Sequence, residues 1–112
     1  MIQRMRISEY NPATAKALTA AEIKKQLTKL KGWSLAGKEI RKTIKFENFY
    51  QTMAFVNAVA YIANQQDHHP DMEVGYNTLT IRFSTHSVGG LSKNDFVSAA
   101  KVDELLTHSS LY

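Results

Sequence analysis

Six residues in the last third of the chain limit its fold more than any other stretch. Leu79, Ile81 and Phe83 alternate with Thr80, Arg82 and Ser84. Side chains along a strand point to opposite faces, so this period of two describes a sheet with one dry and one wet face. The segments Met72 to Tyr76 and Thr78 to Thr85 read together as a hairpin. An earlier pair, Trp33 to Leu35 and Glu39 to Phe46 around Ala36-Gly37-Lys38, reads as another. Ile40, Ile44 and Phe46 share parity there, and Lys42 breaks the pattern.

Helical periodicity fills the gaps. Thr19-Ala20-Ala21-Glu22 has capping-box spacing, Ile23, Leu27 and Leu30 fall on one helical face, and Gly32 supplies a stop. Asn48 caps a long helix to about Gln66 with two neighbouring stripes: Phe49, Met53, Val56, Ala60 and Ala63, then Phe55, Val59 and Ile62. So wide an apolar face predicts packing on the sheet and on something else, such as a second subunit. Pro70 forces the helix to end before it. Gly89-Gly90 marks a loop. Ser92-Lys93-Asn94-Asp95 again has capping-box spacing, before a last helix lined by Phe96, Ala99, Ala100, Val102, Leu105 and Leu106 and running to about Thr107. Asp95 falls at the third helical position, where a carboxylate satisfies backbone N–H groups. The expected fold is α+β: a four-stranded antiparallel sheet with helices packed on one face, in the order helix-strand-strand-helix-strand-strand-helix. All 112 residues read as one domain, with 1–18 an irregular N-terminal arm.

Composition removes several kinds of chemistry. The chain has no cysteine, which excludes disulfides, zinc–thiolate sites, iron–sulfur clusters and Cys nucleophiles. A net charge of +4 is small and spread out, so solvated surface is favoured over a nucleic-acid site. The N-terminal residues lack the apolar stretch of a secretory signal, and Ala54 to Ala63 falls far short of a membrane span. A cytoplasmic protein is expected. P-loop, dinucleotide-glycine, HExxH and Ser-His-Asp signatures are missing.

What remains is histidine. His68-His69-Pro70 stands at the break after the long helix, His86 at the end of the last strand, and His108 in the last helical turn, where the dipole favours it structurally. An imidazole can give or take a proton near neutral pH. Pro70 holds His69 extended, so the paired rings diverge: one lines a wall while the other reaches a ligand. A metal held by His68, His69 and His86 ranks below acid–base work, because adjacent histidines rarely turn to one ion. Asp67 and Asp71 flank the pair and are placed to orient a ring.

The joint spacing resembles the pterin-4a-carbinolamine dehydratase family, also called 4a-hydroxytetrahydrobiopterin dehydratases. His68-His69-Pro70 is followed after five residues by Tyr76, after nine more by His86 within Ser84-Thr85-His86, and after eight more by Asp95. Gly89-Gly90-Leu91-Ser92, Asn94-Asp95-Phe96 and Ala99 to Asp103 also look like the family's entry into its final helix. The similarity runs from about Thr19 to Leu106. Asn64 stands where the family usually has a charged or titratable residue; it can hydrogen-bond but cannot carry the charge.

The resemblance implies a hydro-lyase that dehydrates a 4a-hydroxytetrahydropterin to the quinonoid dihydropterin, in tetrahydrobiopterin recycling. It implies no metal and no organic cofactor. His68 and His86 are expected as the proton-transfer pair, with His69 positioning the departing hydroxyl or sharing the work. Asn64, Asp67, Pro70, Ser84 and Thr85 are expected to contact substrate, with Tyr76 and Asp95 in support. A homodimer or homotetramer and a functional link to an aromatic amino acid hydroxylase are further implications. The alternative is a non-enzymatic interaction module on the same fold, a transcriptional or hydroxylase-regulating cofactor. A basic RNA-binding domain is a third, weaker reading.

Overall fold

The computed structural model describes residues 16–108. Of the arm expected over 1–18, residues 1–15 lie outside this range. Leu18 is half-buried, and its backbone N–H donates to the Leu91 carbonyl at 2.8 Å.

Seven elements follow the expected order: α1 (Ala20–Leu27), β1 (Ser34–Ala36), β2 (Glu39–Lys45), α2 (Phe49–Gln66), β3 (Asp71–Val74), β4 (Thr78–Phe83) and α3 (Lys93–His108), with a 3-10 turn at His86–Val88 before α3. The sheet has four antiparallel strands in the order β1-β2-β4-β3. The fold is the α+β layer that the hydrophobic pattern predicts.

The pairing of β2 with β4 sets the two faces. Ile40 lies opposite Phe83, Lys42 opposite Ile81, and Ile44 opposite Leu79. Ile40, Ile44, Leu79, Ile81 and Phe83 are buried with Phe55 and Val59 of α2 and with Phe96, Ala99 and Val102 of α3. On the wet face Thr43 and Thr80 share a hydroxyl hydrogen bond at 2.8 Å. There Arg82 meets Glu39 at 3.2 Å and Glu73 at 2.9 Å.

Lys42 belongs to the dry face by parity, and the structure explains its presence. Its ammonium donates to Asp103 of α3 at 2.9 Å and to the Lys31 carbonyl at 2.9 Å. The same Asp103 oxygen accepts from the Trp33 indole at 2.9 Å. A long polar side chain crosses to the helix layer with its charge met.

The helices depart from the sequence reading in three places. First, α1 stops at Leu27, ahead of Leu30 and Gly32. The Thr28 hydroxyl donates to the Lys25 carbonyl at 2.6 Å, and Lys29 and Leu30 donate to carbonyls only three residues back, which tightens the coil out of α-geometry. Leu30 still packs against the core from the turn.

Second, the buried stripe of α2 is Thr52, Phe55, Val59, Ala63 and Gln66. Phe49 and Ala60 of the expected first stripe face solvent. Two polar residues occupy the inner face instead, which hydropathy passes over. Thr52 qualifies because its hydroxyl is shared by the Asn48 and Tyr76 carbonyls, at 3.0 and 2.9 Å. Third, Ala100 of α3 is exposed where it was expected to line the core.

Candidate active site

The site begins with how α2 ends. Asp67 takes a left-handed backbone (φ 53°), and its N–H reaches back to the Ala63 and Asn64 carbonyls. The His68 N–H also returns to Ala63, at 3.1 Å. This is a Schellman-type stop, which turns the chain sharply before Pro70. The two histidine rings then part: His68 is buried and His69 is exposed.

The second arm begins where β4 ends. Thr85 pairs with Gly90 in an isolated bridge, the Thr85 N–H donating at 2.8 Å. Between them the 3-10 turn carries His86, with Gly89 closing the turn at φ 67°. His86 is exposed.

The arms border one open cleft of about 370 Å³, lined by Asp67, His68, His69, Ser84, Thr85, His86 and Ser87. Small-molecule sites span roughly 300–1,000 Å³, so the space suits a compact ligand.

Behind the cleft lies a buried polar cluster. The His68 Nε2 is 2.6 Å from Asp95 Oδ1. Asp95 Oδ2 accepts from the Thr85 hydroxyl at 2.7 Å and from the Ser92 N–H at 2.9 Å. The second contact is the capping-box bond at the start of α3. One carboxylate therefore caps a helix and holds a histidine. The His68 ring lies nearly parallel to Phe83, with centroids 5.9 Å apart, which joins the site to the core.

Three other expected residues fall outside the cleft lining. Asn64 is exposed one turn back on α2, and Pro70 is half-buried beyond the histidine pair. Tyr76 sits at the other end of α2: its carbonyl meets Thr52 and its ring stacks on Phe49, with centroids 6.5 Å apart. Thr52 and Gln66 are fourteen residues apart on one helix, or roughly 21 Å at the ordinary rise of 1.5 Å per residue. Tyr76 thus has no place near the histidines within this chain. Thr85 borders the cleft but is 3% exposed, with its hydroxyl turned inward to Asp95. Ser87 lines the cleft without a prior sequence signal. Ser92 joins the cluster from behind, at the capping-box position that the sequence marks. Among the described residues no group of three or more His, Cys, Asp or Glu is placed to hold a metal ion.

Comparison with known proteins gives the family. The sequence model of the pterin 4 alpha carbinolamine dehydratase family matches residues 16–105. A Bdellovibrio bacteriovorus protein is 56% identical over 93 residues, covering 80% of this chain and 78% of its own length. A Nitrosomonas eutropha protein is 58% identical over 87 residues, covering 78% and 75%. Both carry the name pterin-4-alpha-carbinolamine dehydratase provisionally. A crystal structure from Brucella melitensis, described as a transcriptional coactivator/pterin dehydratase, superposes with a TM-score of 0.75 at 30% identity, covering 79% of this chain and 96% of that one. A pterin dehydratase-like protein described as a RuBisCO assembly factor in the alpha-carboxysome gives 0.59 at 27% identity, covering 70% and 94%. With its family match extending over nearly all the described residues, the chain belongs to the pterin 4 alpha carbinolamine dehydratase family.

Proposed function

We propose that this chain dehydrates a pterin 4a-carbinolamine by histidine acid–base catalysis in the cleft between the His68-His69 and His86 arms. The C4a–O bond breaks, the hydroxyl leaves as water with an added proton, and N5 loses its proton as the N5–C4a double bond forms. The reaction needs one group to give a proton and one to take it. A placed acid or base contributes roughly 10²–10⁴-fold.

The observation that carries this reading is the pairing of two exposed imidazoles, His69 and His86, on one cleft. On this ground the proton-transfer pair is His69 and His86, rather than His68 and His86. His68 has one nitrogen on Asp95 and a buried ring, which suits it to shape the wall and orient the substrate. Asp67 and Ser84 are the expected polar contacts to the pterin. A pterin substrate released by an aromatic amino acid hydroxylase, a role in tetrahydropterin recycling, a homo-oligomer and a cytoplasmic setting complete the reading. No helix among the described residues is long and apolar enough to cross a membrane.

The test uses a hydroxylase to generate the carbinolamine in place and follows its absorbance decay. The wild-type protein accelerates the decay. His69→Ala and His86→Ala each lose roughly 10²-fold or more of that acceleration while remaining folded. Full activity in both variants would refute the assignment. A folded wild type without activity would favour the interaction-module reading, for which the Brucella protein's description as a coactivator is the motivating observation.

A further inference from the structure

A hydroxyl has one proton, and this fixes the direction of the hydrogen bonds behind His68. The Asp95 carboxylate can only accept. Thr85 Oγ1 therefore gives its proton to Asp95 Oδ2, 2.7 Å away. It can meet Ser92 Oγ, at 2.8 Å, only as an acceptor, so Ser92 donates to Thr85. Ser92 Oγ in turn accepts the Asn94 N–H at 3.2 Å. The chain runs one way, from Asn94 to Ser92 to Thr85 to Asp95. Oδ2 also holds the Ser92 N–H, and Oδ1 is left to take Nε2–H of His68 at 2.6 Å. Every member is buried: Asp95 0%, Ser92 1%, Thr85 3%, Asn94 6% and His68 7% exposed. At such low dielectric each bond polarises the next.

We propose that Ser92 is a positioning residue for the dehydration, acting through Thr85 to hold the Asp95 carboxylate, and with it the His68 ring, at a fixed tilt against Phe83. The proposal rests on the dehydratase reading of the cleft. The same chain reaches the other arm, because Thr85 adjoins His86 and anchors its loop through the Gly90 bridge. Ser92 lies outside the cleft lining and acts only through its neighbours.

Ser92 also caps α3, so the experiment must separate a cap from a relay. Thr85→Val breaks the chain and leaves the Asn94 bond to Ser92 intact. Ser92→Ala removes both, and Ser92→Thr keeps both. The ring ¹H–¹⁵N signals of His68 in the ligand-free protein report how firmly its ring is held, sharp for a fixed ring and broadened for a mobile one. The carbinolamine assay reports kcat and KM. The expected result is one sharp set of ring signals in the wild type and broadened signals in Thr85→Val and Ser92→Ala, with Asp95 still accepting from Nε2–H in each. In both variants kcat falls roughly tenfold, the effect of one lost transition-state interaction, with KM held within about twofold. Ser92→Thr restores both readouts. If Ser92→Ala fails to fold, Thr85→Val still decides. Unchanged, sharp His68 ring signals in a folded Thr85→Val variant, or a loss confined to KM, would overturn the proposal. A folded wild type with no dehydration would remove the catalytic half together with the function reading, and the ring signals would then judge the hydrogen-bond chain alone.

Discussion

Asp95 serves three neighbours through its two oxygens. Oδ2 closes the cap of α3 and takes the Thr85 hydroxyl, while Oδ1 holds His68. Asp95→Asn separates these duties. The amide oxygen must stay with the two donors at the Oδ2 position, so the amide N–H₂ is turned toward His68 Nε2. Two donors then face each other unless the ring changes tautomer. The fold should persist, with kcat reduced by roughly 10²-fold or more, as expected when a histidine loses its orienting carboxylate. Steady-state kinetics beside a thermal melt checks this; an unchanged kcat would mean that His68 needs no carboxylate. This residue also shows what was legible in advance. The spacing Ser92-x-x-Asp95 marks the cap, and the longer spacing from His86 marks the site. That one carboxylate does both depends on α3 packing beside the end of α2, which no local pattern records. The inward turn of Thr85 was hidden for the same reason, since a hydroxyl next to a cleft looks like a ligand contact until its partner is known.

At the scale of elements, caps and turns were readable and apolar stripes less so. The Thr19 box forms as its spacing predicts: the Thr19 N–H donates to Glu22 at 2.8 Å, and the Glu22 N–H donates to the Thr19 hydroxyl at 3.2 Å. The Thr19 backbone bond, aided by its side chain, holds the Glu22 carboxyl below its ordinary value. A carboxyl lowered in the folded state stabilises α1 above its unfolded-state value, and that contribution fades as pH falls through the folded one. Amide protection in residues 20–27, taken relative to the intrinsic exchange rate at each pH, should therefore fall on acidification in the wild type. It should do so less in Glu22→Gln, which has no charge to lose; equal pH dependence in both would show that the box adds nothing. The stripe of α2 misled because burial there follows hydrogen-bond partners as well as hydropathy. Thr52 is inside with two carbonyls, while Phe49 is half out. Lys42 makes the same point in β2. Its apparent break of alternation is an ion pair to Asp103, which also takes the Trp33 N–H. Asp103→Ala strips both partly buried donors of that partner. It should cost roughly 1–3 kcal/mol by urea denaturation, and a change within error would mean that water replaces the carboxylate freely.

Across the whole molecule, the sheet's dry face both makes the core and supports the cleft, and the join is Phe83. One alternation, Leu79-Ile81-Phe83, set the layer plan, and the histidine spacing pointed to the loops at its end. The two meet because β4 runs from the core to the cleft. Phe83 is 1% exposed, and its ring centroid lies 5.8 Å from that of Trp33 and 5.9 Å from that of His68. Phe55 is equally buried, but its ring partner is Phe46, away from the histidines. Truncating either aromatic to alanine should cost about 3–5 kcal/mol, because a cavity adds to the lost transfer energy. Their effects on turnover should differ. Phe55→Ala, assayed well below its melting temperature, should keep kcat near that of the wild type, since the cleft walls do not touch the void. Phe83→Ala removes the surface on which His68 rests and should lower kcat at matched folded fraction. Thermal melts set the assay temperature, and kinetics under those conditions make the comparison. Equal kcat in the two variants would mean that the Asp95 bond alone holds His68. A lower kcat in Phe83→Ala only would show that the core of this sheet fixes the geometry of its cleft.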